Sequence, residues 1–150
     1  MILLKSFKDK VLSARRLSLS DWLVLVEAWQ LLFFFHLALR RMSYERLTAA
    51  TRPISENAPD ASQALVSAQR LQRLVGYASR LHPIPMTCLV RSLALRKMLN
   101  RRNISAQVCI GMNKTLVEVH AHAWVEVKGQ AVGESEEISA RFATLSRSGA

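Results

Sequence analysis

Eighteen residues from Trp22 to Leu39, WLVLVEAWQLLFFFHLAL, are almost all apolar, so whatever the chain folds into must cover them. As a helix rising 1.5 Å per residue the run would be about 27 Å long, the lower edge of a membrane span. Glu27, Gln30 and His36 interrupt it, and each would be costly in lipid. Lys and Arg lie on both sides, which gives no orientation bias, and no small-residue cleavage site follows, which argues against a secretory signal. The run therefore predicts a helix packed on the rest of the protein, on a partner or on a second copy, with contact to a membrane surface as the other reading. Ser18-Leu19-Ser20-Asp21 offers its start, with Ser18 and Asp21 spaced as a capping box.

Residues 51–60, TRPISENAPD, hold two prolines and several turn formers. They divide the chain into an N-terminal helical extension, 1–58, and a core, 59–150. From Ala61 to Leu81 apolar residues recur at intervals of three and four with arginines on the other side, the pattern of an amphipathic helix. His82-Pro83-Ile84-Pro85 stops it, because proline excludes helix at the residue before it. A second helix is predicted from Cys88 to Asn100, capped by Thr87, with Leu89, Val90, Leu93, Ala94, Met98 and Leu99 inward. Period-two alternation over Ile104–Ile110 and again over Leu116–Val127 predicts two strands, with a turn at Gly111-Met112-Asn113-Lys114 between them. Gly129 marks another turn, and Gln130–Glu134 a short return strand. Helices followed by a small antiparallel sheet make an α+β fold.

Lys and Arg number 21 against 11 Asp and Glu, a net charge of +10. Between Asp60 and Glu118 there is no acidic residue, while Arg70, Arg73, Arg80, Arg91, Arg96, Lys97, Arg101, Arg102 and Lys114 lie within that stretch. These are either solvated helix faces or a surface that receives something negative. No basic heptad, zinc-finger spacing or aromatic RNA-binding signature accompanies them, which disfavours nucleic acid. Two cysteines are too few for a disulfide scaffold and suit a reducing, cytoplasmic setting.

A cysteine opening a helix, a histidine on a later strand and a carboxylate on the neighbouring strand form the plan of a cysteine-nucleophile site. The helix N-terminus stabilises a thiolate at Cys88, an imidazole at His122 completes the ion pair, and a carboxylate fixes its tautomer. Taken alone, Cys88 is also a small buried hydrophobe and His122 an ordinary strand histidine. If Val127-Lys128-Gly129 is a three-residue hairpin with Gly129 left-handed, Glu126 faces Gln130 and His122 faces Glu134. A two-residue Lys128-Gly129 loop would instead oppose Ser135 to His122 and turn Glu134 to the other face. Trp124, on the face of His122, is a candidate cleft wall. Arg91, in the first turn after Cys88, is a candidate to sustain the thiolate or to bind substrate.

The blocks Cys88-Leu89-Val90-Arg91-Ser92-Leu93-Ala94-Leu95 and Ala121-His122-Ala123-Trp124-Val125-Glu126, with Gly111 between them and Gly129 after, resemble the transglutaminase-like leader peptidases of lasso-peptide biosynthesis. The resemblance covers about residues 60–135. It implies a papain-like or transglutaminase-like core in which a Cys-His-Asp triad removes the leader from a ribosomal precursor peptide. Cys88 then corresponds to the nucleophile and His122 to the general base and acid, while the aspartate position falls on Glu134, a departure from the family. A separate leader-binding protein and a macrolactam synthetase are the implied partners, and no cofactor is implied. Three rivals stand beside this reading: a zinc module built from Cys88, Cys109, His120 and His122, a non-catalytic basic adaptor for an acidic peptide, and an amide-exchange enzyme using the same thioester chemistry.

Overall fold

A computed structural model of the chain describes residues 18–49, 59–114, 119–133 and 142–147. Among these residues four helices, α1 (Leu19–Ala38), α2 (Tyr44–Ala49), α3 (Ala61–Leu81) and α4 (Cys88–Asn100), precede four strands, β1 (Gln107–Lys114), β2 (Val119–Val127), β3 (Gln130–Ala131) and β4 (Ala143–Arg147). The strands form one antiparallel sheet in the order β3-β2-β1-β4, and the mixture is the α+β architecture expected.

Helix α1 begins at the predicted capping box: the Ser18 side chain accepts the Asp21 N–H at 3.2 Å and Asp21 accepts the Ser18 N–H at 3.1 Å. One side of α1 (Leu25, Ala28, Leu31, Leu32, Phe35) enters the same core as Leu71 and Val75 of α3, Leu93 and Met98 of α4, and Val108 and Val125 of the sheet. The opposite side stays open, with Leu23 74%, Val26 51% and Phe34 56% exposed. Among the described residues α1 is the helix long and apolar enough to cross a membrane, yet 33% of that stretch is buried inside the protein.

Two ion-pair clamps fix α1 against its neighbours. Asp21 pairs with Arg70 of α3, and Glu27 receives Arg101 at 2.9 Å and Arg102 at 2.7 Å from the end of α4. Burial opposes charge on Glu27, but the Arg102 and Arg101 guanidiniums hold its carboxyl below the usual carboxylate range. A depressed carboxylate pKa makes this clamp stabilising at neutral pH and removes it as pH falls through that pKa.

Helix α4 is buried on more sides than its predicted face, because Ser92, Leu95 and Arg96 are inward as well. Arg96 belongs to neither a solvated face nor an anion-receiving surface: it is 1% exposed, donating from Nε to the Ala106 carbonyl and from Nη1 to the Thr48 carbonyl, each at 3.2 Å. Burial pushes its guanidinium below its ordinary value.

The sheet differs from expectation at both reversals. Strand β1 runs straight through Gly111 to Lys114 where a turn was predicted, and the link to β2 at 115–118 lies outside the described residues. Glycine is required there for packing rather than turning, as the site below makes clear. Between β2 and β3 the chain makes a two-residue turn: Glu126 pairs with Ala131 and Val127 with Gln130, and both Lys128 (φ 52°) and Gly129 (φ 80°) are left-handed. Two such residues match the right-handed twist of the flanking strands, which a three-residue loop is not needed to achieve. Lysine pays a steric cost in that region that asparagine largely escapes. Lys128→Asn is therefore expected to raise stability by about 0.5–1 kcal/mol, read as a higher urea midpoint. Strand β4, which pairs with β1 through a bulge at Ile110/Gly111, was not anticipated.

Candidate active site

Thr87 caps α4, accepting the Val90 N–H on its hydroxyl at 3.3 Å, so that Cys88 is the first residue of the helix and sits where unpaired backbone N–H groups and the positive end of the dipole converge. Cys88 is partly exposed, whereas Cys109 is buried within the sheet.

Helix α4 is moored to β2 by the Ser92 hydroxyl, which donates to the Ala123 carbonyl at 3.1 Å. Two residues on, the Val125 carbonyl accepts the Val132 N–H. Carbonyls two apart on a strand point to the same edge, so α4 covers the edge of β2 just where the short β3 has ended. That edge opens into a cleft lined by Cys88, Arg91, Ser92 and Leu95 from α4, by Gln72 and Val75 from α3, and by His122, Ala123, Trp124, Val125 and Val132.

On β2 the side chains of His122, Trp124 and Glu126 share one face. Trp124 is 2% exposed, and its indole N–H donates to the Glu126 carboxylate at 3.0 Å. The indole stacks on the His122 imidazole at 6.2 Å and 15°, while Phe142 approaches the same imidazole at 5.6 Å. Gly111 pairs with His122 across the ladder and gives these rings their room. A Cβ on Gly111 would meet Trp124 Cη2 and Phe142 Cβ at 2.9 Å each. Gly111→Ala is expected to cost about 1–3 kcal/mol through this overpacking, measured as a lower melting temperature with a changed near-ultraviolet tryptophan signal.

Cys88, His122, Arg91 and Trp124 thus line one opening. Glu134 lies outside the described residues, and its pairing with His122 does not follow from the hairpin, because the observed two-residue turn is the one that reverses that face. No described residue lining the cleft carries a carboxylate. The zinc set does not assemble either: among the described residues no three His, Cys, Asp or Glu side chains gather as ligands. Sequence reasoning missed Gln72, Ser92, Gly111 and Phe142. Ser92 was detectable in principle, as a small polar residue between Arg91 and Leu93 on a helix buried nearly all round.

A family model described as the transglutaminase-like superfamily matches residues 29–147. The microcin J25-processing protein McjB of Escherichia coli is 34% identical over 58 residues, which span 39% of this chain and 27% of that relative. No solved structure matches the chain significantly.

Proposed function

The chain belongs to the transglutaminase-like superfamily, and from that premise we propose that it is a cysteine peptidase that removes the leader from a ribosomally made lasso-peptide precursor. The observation that carries the reading is the shared cleft of Cys88, at a helix N-terminus, and His122, on the strand that helix covers. The relative whose name refers to microcin J25 processing supports the substrate class.

The Cys88 thiolate, paired with a protonated His122, attacks the scissile carbonyl, and the backbone N–H of Cys88 donates a hydrogen bond to the developing oxyanion. His122 then gives its proton to the departing amine, leaving an acyl thioester. Water, deprotonated by His122, hydrolyses the thioester and frees Cys88. Arg91 is exposed beside the thiol and contacts the peptide, and Trp124 forms the wall behind it. A separate leader-binding protein presents the precursor and a macrolactam synthetase takes the product, as in the resembled family, and the whole works in the cytoplasm.

Mass spectrometry of a candidate precursor incubated with the chain and a leader-binding protein tests this directly. Release of the leader as a single fragment, lost on iodoacetamide treatment, is the expected result. The reagent should modify Cys88 well before Cys109, which is fully buried. Preferential labelling of Cys109 with processing intact would overturn the assignment.

A further inference from the structure

We propose that the exposed face of α1 is a docking surface for an anionic phospholipid bilayer, on which the helix lies flat. Between Trp22 and Leu37 every exposed position carries an apolar side chain except Gln30. The stripe runs along a helix of 20 residues, about 30 Å, and soluble monomers rarely leave so continuous a patch bare. The helix is not free to cross a membrane, because its other side enters the core and Asp21 and Glu27 are clamped to arginines. Its geometry is that of an interfacial helix, sunk by one side only. Two half-exposed indoles, Trp22 and Trp29, stand on that side, and tryptophan favours the headgroup level of a bilayer. Trp29 and Phe33 are held in place against the His82 ring just after α3, with centroids 4.8 and 6.0 Å away.

Charge says what covers the stripe. Arg70 meets Asp21 at the start of α1 and His82 meets Trp29 and Phe33 farther along, so α3 runs beside α1 in the same direction. Arg70, Arg73, Tyr77 and Arg80, spaced at three and four, form one exposed line of α3 on that flank, with the Arg80 guanidinium over the Tyr77 ring. Arg101 and Arg102 hold Glu27 on the other flank, and the exposed Arg40 and Arg41 follow the end of the helix. An apolar stripe with a basic rim is complementary to acyl chains beneath anionic headgroups. A second copy fits worse, since it would bring two such rims and two chains of net charge +10 together. From α3 the cleft is lined by Gln72 and Val75 rather than by the arginine line, so the bilayer meets a different side of that helix from the one facing Cys88.

Flotation of the full chain with vesicles tests this, since aggregates do not float. The chain is expected to rise with phosphatidylcholine vesicles carrying about 30% phosphatidylglycerol, roughly tenfold more than with pure phosphatidylcholine, and to be largely released by about 0.5 M salt. Leu23→Gln, Val26→Gln and Phe34→Gln combined change three exposed positions. That variant should keep the circular dichroism spectrum and lose more than about tenfold in partitioning. Arg73→Gln with Arg80→Gln should lose roughly fivefold per arginine on the anionic vesicles and scarcely change on the neutral ones. Absence of flotation on anionic vesicles would defeat the proposal, and so would flotation that both variants leave unchanged. A lipid-free dimer that the triple variant makes monomeric, with no vesicle binding, would assign the face to a second copy; a monomer that does not float would leave it to a protein partner. Should the triple variant not fold, the arginine variant and the neutral vesicles decide alone. None of these outcomes touches the peptidase reading, which rests on Cys88 and His122.

Discussion

Cys88→Ala and His122→Ala are each expected to leave less than about a thousandth of the wild-type cleavage rate, with the double variant scarcely worse than either single one. The reason lies in how the two groups share one event. In the proposed mechanism the thiol at the head of α4 becomes a nucleophile only as the thiolate, and the imidazole that lines the same cleft both holds that charge and later protonates the leaving amine. Removing either one removes the covalent route, so the losses do not multiply. Precursor binding should survive in both variants, because neither side chain carries the fold: Cys88 and His122 are only partly buried. A binding assay beside the rate assay therefore separates the enzyme from a non-catalytic adaptor, which would lose nothing in either variant.

Arg96→Ala is the substitution expected to damage stability most, by about 3 kcal/mol, or on the order of 10 °C in melting temperature. The side chain fills space at 1% exposure and satisfies the carbonyls of Thr48 in α2 and Ala106 before β1. Alanine leaves a cavity and two buried acceptors without their donor. Arg96→Lys, with one ammonium in place of a planar fork, reaches one carbonyl at best and should fall between the two. Because the charge stays buried with no carboxylate bonded to it in these contacts, Arg96→Met should be less harmful than Arg96→Ala: it restores volume and removes a desolvated cation.

The parts of this protein written locally were legible. The Ser18–Asp21 box, the Thr87 cap and the prolines after His82 fixed the ends of three helices, because caps and proline act within a few residues. That Cys88 and His122 line one cleft accords with their element types and the family resemblance. What failed required distant partners. Gly111 looked like a turn because its packing role depends on Trp124 and Phe142, and nothing in its own neighbours reveals them. Arg96 looked like surface because its acceptors lie 10 and 48 residues away. The hairpin was misjudged by one residue because lysine rarely tolerates the left-handed region that Lys128 adopts, and one residue of register reverses a face.

The long reach of α1's contacts bears on the order in which the protein is made. Its apolar side is covered by α3 and α4, and Glu27 waits for Arg101 and Arg102, some 74 and 75 residues downstream. At about 5–20 residues per second on the ribosome, α1 emerges several seconds before its second clamp exists. During that interval the nascent chain presents an amphiphile without a seat, and ribosome-bound factors that handle apolar helices will meet it first. Ribosome profiling of such a factor on this message should show its occupancy rise after α1 clears the exit tunnel and fall once α4 has followed it.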